Sequence, residues 1–347
     1  MKTASKYLSL LLTLVLAMAG LAACRRPAPL FPVEEFVAGD LGRVISAAQL
    51  QALLEYWEPN LVVIGAISPF TALLPAGPAG AIDGSYLIWR PDITADSSPA
   101  AISPEIAGMG TSQAEIENLL SRAGVTGNSR IVVYSENVLD SSRLMWLLSM
   151  LGMEKIHYLD GGINAWIAAG YPTGSGVRLP GLAVRNNFQS PDYDYARVAA
   201  PFALVVEALQ NPDEWVVIDA RTAQEFAGER VPASGGAFGT GRIANTVNIN
   251  WVNNIDPATG LIRSREELEA VYGDVIRGRN VIVFCQSGLR ASHTWFVLRE
   301  VLGHDMQVLL WDGSWIEWSF AASAASGGQF PGILEMTEEW TDNGGAI

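Results

Sequence analysis

The sequence predicts an α/β protein built from two tandem domains, each a mainly parallel sheet flanked by helices. Three observations carry this reading. Short β-branched runs alternate with helical segments along the chain, the pattern of parallel sheets covered on both faces. The chain is also written twice. "LVVIGA" (61–66) returns as "WVVIDA" (215–220), "RIVVYS" (130–135) as "NVIVFC" (280–285), "RLMWLLSMLG" (143–152) as "TWFVLREVLG" (294–303), and "LDGGINAW" (159–166) as "WDGSWIEW" (311–318). These blocks keep their order and recur about 150 residues further on, which chance similarity of short apolar runs would not preserve. Finally, 347 residues with 49% apolar side chains suffice for two cores.

The elements follow in chain order. "MKTASKYLSLLLTLVLAMAGLAAC" places Lys2 and Lys6 before an apolar run from Tyr7 to Gly20, then Leu21-Ala22-Ala23-Cys24. This predicts an export signal over residues 1–24. The alternative, an uncleaved anchor helix, is disfavoured because the run is short for a span. Cysteine directly after L-A-A resembles a bacterial lipobox. That implies a lipidated Cys24 and a protein exported and anchored to the bacterial cell membrane, facing outside the cytoplasm. Residues 25–44 read as a linker and 45–172 as the first domain. Residues 173–205, rich in Gly, Pro, Asn and Asp, read as an interdomain linker. The second domain spans 206–325, and 326–347 form a tail without clear periodicity.

Within the second domain, Val216–Ile218 predicts a strand and "RTAQEFA" a helix after it. "NTVNI" (245–249) predicts a strand, "SREELEAVY" (264–272) a helix and "NVIVF" (280–284) the next strand. A further helix starts near Ala291, with Ala291, Trp295, Leu298 and Leu302 forming one apolar stripe. Gly303 is its stop. "GTGRIA" (239–244) mimics a dinucleotide-binding loop but does not follow a strand, so it is discounted.

Charge narrows the partners. Lys plus Arg number 22 against 36 acidic residues, a net charge of −14. That excludes a nucleic-acid partner, which would want a basic patch. An anionic ligand must be drawn by a local positive site. No Cys/His cluster has metal-ligand spacing, and no cofactor motif is present.

Of the two cysteines, a lipidated Cys24 would leave Cys285 with no disulfide partner. Such a thiol is either an inert core residue or a nucleophile. Cys285 follows a strand, and residues 286–290 curl toward a helix N-terminus. Their amides can converge on the sulfur, Gly288 lets the loop close, and Arg290 places a guanidinium at the rim. Each effect favours thiolate. Of His157, His293 and His304, His293 lies nearest in sequence; it reads as a packing or surface residue rather than a base.

"VIVFCQSGLRASHTWFVLREVLG", together with "VVIDARTAQEFAG", "GRIANTVNINW" and "VLLWDGSWIEW", resembles the tandem-domain rhodanese family over roughly residues 45–325. The resemblance implies an inactive first domain, with Ser135 in place of Cys285 and Glu136 and Asp140 nearby, that covers the active one. It implies a sulfurtransferase without cofactor or metal, acting on a small anionic sulfur donor and a thiophilic acceptor. Cys285 would carry a persulfide cradled by Gln286, Ser287, Gly288 and Leu289, and Arg221 and Arg290 would bind the donor. For Arg221 an ion pair with Glu225 is the alternative, and Asp219 is expected to fix loop geometry. The C-x4-R loop is shorter than the C-x5-R of dual-specificity phosphatases, which favours sulfur over phosphate. Thiosulfate is the expected donor. Ser287-Gly288 also resembles the 3-mercaptopyruvate-type loop, so that donor is the alternative. A non-catalytic envelope protein that binds sulfur species or a partner is the competing reading from another class.

Overall fold

The computed structural model describes residues 41–56, 60–68, 80–95, 101–104, 106–174 and 187–343. The expected export signal, Cys24 and most of the expected 25–44 linker lie outside them. Among the described residues no helix is long and apolar enough to cross a membrane.

In the first half, "LVVIGA" and "RIVVYS" are almost wholly buried strands, as β-branched runs covered on both faces should be. They are β2 (Leu61–Ala66) and β6 (Arg130–Ser135), the centre of a parallel sheet. Its order is β1-β7-β6-β2-β3, with β1 at Val44–Ile45, β3 at Tyr86–Ile88 and β7 at Ile156–Leu159. Helix α1 (Ala47–Glu55) begins at a Ser46/Gln49 capping box, and α2 (Gln113–Ala123) at a Ser112/Glu115 box. Helix α3 (Val138–Met150) follows β6, and α4 (Gly162–Ala168) follows β7. A two-stranded ribbon, β4 (Thr94–Ala95) with β5 (Met109–Gly110), stands apart from the sheet.

The second half repeats the plan. Its parallel sheet runs β10-β8-β11-β12, with β8 at Trp215–Asp219, β10 at Thr246–Asn248, β11 at Asn280–Phe284 and β12 at Val308–Leu310. Its helices are α5 (Phe202–Gln210), α6 (Ala223–Phe226), α7 (Arg265–Ile276), α8 (Leu289–Phe296) and α9 (Ser314–Ala322). The register pairs Asp219 with Phe284 and Val283 with Leu310. Three strands therefore deliver Asp219, Cys285 and Trp311 to one carboxyl edge, where ligands of parallel sheets bind.

Two boundaries differ from the sequence reading. Helix α5 starts inside the expected linker, and Ala199 already bridges to Leu310. Residues 198–205 therefore belong to the second half; Val198, Ala199 and Ala200 are buried. The expected tail holds a strand, β13 (Thr337–Asp342), paired antiparallel with β9 (Gly239–Ile243). Its Trp340 packs on Trp315 with ring centroids 6.4 Å apart. The sequence Thr337-Glu338-Glu339-Trp340-Thr341-Asp342 shows no apolar alternation, because this strand leaves much of its surface to solvent. The discounted "GTGRIA" is β9 itself, so no phosphate loop is present there.

Helices α3 and α8, which follow the equivalent strands β6 and β11, pack against each other and join the halves. Tyr158 and Phe296 stack 4.8 Å apart across this seam. One apolar cluster contains Trp146, Leu147 and Tyr158 from the first half and Cys285, Trp295 and Phe296 from the second. Residues 39–347 accordingly form one compact unit.

Candidate active site

Cys285 is the first residue after β11 and is 1% exposed. The loop Gln286–Gly288 then turns into α8. Gly288 caps the helix at φ +76°, a left-handed conformation that glycine adopts without strain. A Cβ there would also run into the Asp312 carboxylate, so this position needs glycine twice over.

The loop is held from β12 and α9. Ser314 Oγ accepts hydrogen bonds from the amides of Cys285 (3.1 Å) and Gly288 (3.0 Å) and donates to the Trp311 carbonyl. The Trp315 and Ile316 amides donate to the carbonyls of Cys285 and Gln286. Ser314 stands at φ +52°, a strained setting for a serine, retained where one hydroxyl pins three backbone groups. Gln286 donates from Nε2 to the Gly235 carbonyl at 3.0 Å, while its Oε1 is buried without a partner among the described residues. Ser287 lies under Gly108 of the first half; a Cβ on Gly108 would stand 3.3 Å from that of Ser287.

The two arginines are placed differently from expectation. Arg290 makes a bidentate pair with Glu225, at 2.7 and 2.9 Å. Burial opposes its charge. The hydrogen bond to Glu225 and the charges of Cys285, Glu225 and Asp219 outweigh this and hold the guanidinium protonated. Glu225, resisting its own burial, is lowered by the same pairing. Arg221 is 1% exposed and bonds Asp219 through Nε and Nη2 and the Gly241 carbonyl through Nη2. Its guanidinium lies 4.3 Å from the Trp315 ring. So Glu225 does not pair with Arg221, and the expectation of Arg221 as an open anion binder gives way to an enclosed ion pair. Asp219 does fix geometry as expected: its Oδ1 also accepts from the Arg221 amide.

With each guanidinium matched by a carboxylate, the cradle's positive character comes from backbone. The amides of Gln286, Ser287, Leu289 and Arg290 meet no acceptor among the described residues, and α8 points its N-terminus at the same place. His293 is wholly buried; burial lowers its pKa to about 4, so it is neutral. Asn254 Nδ2 lies 3.2 Å from its Nδ1, and it packs edge-on to Trp251. It is a packing residue, as expected. Among the described residues no cluster could hold a metal.

The first half shows the contrast. Ser135 Oγ donates to the Asn137 carbonyl and lies 2.8 Å from Ser141 Oγ, so its hydroxyl is tied down. Arg90 is bound bidentate by Asp140.

A model of the rhodanese-like domain matches twice, over residues 79–169 and 203–321. The chain belongs to the rhodanese family of sulfurtransferases. It is 31% identical over 205 residues to a thiosulfate sulfurtransferase of Corynebacterium glutamicum, covering 58% of this chain and 66% of that protein. It is 28% identical over 225 residues to the sulfur carrier protein TtuD of Thermus thermophilus, covering 60% and 74%. Among solved structures, the Tum1 protein of Saccharomyces cerevisiae aligns with a TM-score of 0.66 at 19% identity, covering 86% of this chain and 98% of that one. That likeness concerns the fold alone.

Sequence reasoning placed Cys285, its loop and Arg290 together, and the structure does the same. It missed three supports: Ser314, Asp312 and Arg143. An arginine inside the apolar run "RLMWLL" was the available signal for the last.

Proposed function

We propose that the chain transfers a sulfane sulfur from thiosulfate to a thiophilic acceptor through a Cys285 persulfide. The observation that supports this most is the cradle: a buried cysteine at a strand end, wrapped by free amides within the next five residues, with a neutral, buried His293 as the histidine nearest in sequence. Cys285 thiolate attacks the outer sulfur of thiosulfate. A cysteine–sulfur bond forms, the sulfur–sulfur bond of the donor breaks, and its electron pair departs with sulfite. Sulfite is a good leaving group, so no proton donor is needed, in keeping with a neutral, buried His293. The persulfide anion rests on the loop amides of Gln286, Ser287, Leu289 and Arg290. Cyanide or a thiol then takes the outer sulfur and returns the thiolate.

Arg290 fixes the loop through its bidentate pair with Glu225; Arg221 acts from behind, by setting the β8 end through Asp219. Incubation with thiosulfate should add one sulfur to Cys285, read by intact mass, and cyanide should then release thiocyanate. No adduct and no thiocyanate would sink this reading and favour a non-catalytic sulfur-binding protein. Faster loading from 3-mercaptopyruvate would move the donor assignment. Export and anchoring through Cys24 belong to the same proposal. Labelling of cells with a fatty-acid analogue should tag the wild type but not Cys24→Ala; equal labelling overturns the anchor.

A further inference from the structure

The first half reaches the cysteine loop through one buried ion pair. Arg143 of α3 is fully enclosed and meets Asp312, just beyond β12 of the other half, at 2.5 Å. Its Nη2 donates to the Gly108 carbonyl at 3.2 Å, and its guanidinium stacks 4.7 Å from the Trp146 ring. Asp312 Oδ2 accepts from the Gly110 amide at 2.6 Å. Burial pushes the Asp312 pKa up and Arg143 pulls against it.

This pair touches the loop. A side chain on Gly288 would meet both the Asp312 carboxylate and Arg143 Nη1. Asp312 also stands two residues before Ser314, whose hydroxyl pins the amides of Cys285 and Gly288. The link therefore runs from Arg143 to Asp312, along the backbone to Ser314, and from its hydroxyl to the cradle. The geometry points to Arg143 as a positioning residue of the sulfur-transfer site, supplied by the half that carries no nucleophile. It holds the Asp312–Ser314 segment against the loop and so sets where the free amides aim. The inference rests on Cys285 being the nucleophile.

Removing one member of a buried pair strands the other charge and can unfold the protein. The test therefore compares Arg143→Lys, Arg143→Gln, and the neutral double Arg143→Gln with Asp312→Asn, all in the full-length protein. Melting and circular dichroism report folding. Persulfide loading from thiosulfate and alkylation of Cys285 by iodoacetamide, both read by mass, report the loop. A folded double variant should load sulfur roughly tenfold or more slowly at saturating thiosulfate. Its half-saturating thiosulfate concentration should stay the same, and alkylation should be faster, because the loop loosens around a thiol now hidden. Arg143→Lys should recover part of the loading rate. Wild-type loading in a folded double variant overturns the proposal. So does failure of every variant to fold, which would make the pair a folding element alone. If the wild type itself forms no persulfide, the sulfurtransferase reading fails instead, and the alkylation rates still decide whether Arg143 positions the loop.

Discussion

At the scale of single residues, Cys285 and Arg290 differ in what their loss should do. Cys285→Ser keeps the volume and removes the thiolate, so sulfur loading should vanish while the melting temperature barely moves. Arg290→Ala should do the reverse of a clean deletion. It leaves Glu225, whose side chain has no exposure, without its bidentate partner. A loss of about 3–5 kcal/mol in stability is expected by urea titration, together with lost activity. Arg290→Lys should fall between, because an ammonium cannot reproduce the planar fork. Cys285 and Arg290 were legible in the sequence because their spacing along one loop is local. The partner of Arg290 was not: Glu225 lies on α6, sixty-five residues earlier, and only the fold decides which of two nearby arginines it takes. Arg221 was misjudged for the same reason, since Asp219 two residues away claims it.

Among elements, the strand-loop-helix unit of β11 and α8 was readable from its apolar run, its glycine and its stripe. Capping boxes at Ser264/Glu267 and Thr222/Glu225 also place α7 and α6 where the sequence suggested. After α8 the helix widens into a π turn over Val297–Val301, which a stripe drawn at ordinary helical spacing does not foresee. What pins the loop was hidden, because Ser314 comes from the next strand-helix connection. Ser314→Ala should free the amides of Cys285 and Gly288 inside the protein. The expected cost is about 1–3 kcal/mol in the unfolding free energy, with slower persulfide formation. Gly288→Ala should be worse for activity, since both its φ of +76° and the Asp312 carboxylate exclude a side chain. Equal loading rates in Gly288→Ala and wild type would contradict the loop geometry.

For the whole molecule, the duplication read from four sequence blocks becomes two sheets joined by equivalent helices. The first half also sends Ile102 to the second. The Ile102 amide donates to Glu317 at 2.9 Å, and Trp311 Nε1 donates to the same carboxylate at 2.5 Å. Burial nevertheless pushes the Glu317 pKa up to about 7 from 4.5. The folded state therefore holds this proton better than the unfolded chain. Its contribution is complete below 4.5 and is lost as pH rises through about 7, worth about 3 kcal/mol in all. His293 slopes the other way. Lowered to about 4 from 6.5, it favours the fold above 6.5 and withdraws that favour as pH falls toward 4, by about 3 kcal/mol. The melting temperature of Glu317→Gln should accordingly rise relative to that of wild type between pH 4.5 and 7. Parallel melting curves for the two proteins would refute the buried-acid argument.

Strand β13 has a bearing on synthesis. It pairs with β9 only after residues 337–342 leave the ribosome, well behind the cysteine of the same half. Until then β9 lacks its partner and Trp315 lacks Trp340. Cys285 is thus made before the second half is complete. A chain cut short before Thr337 would leave β9 as an unpaired edge, open to pairing with neighbouring chains.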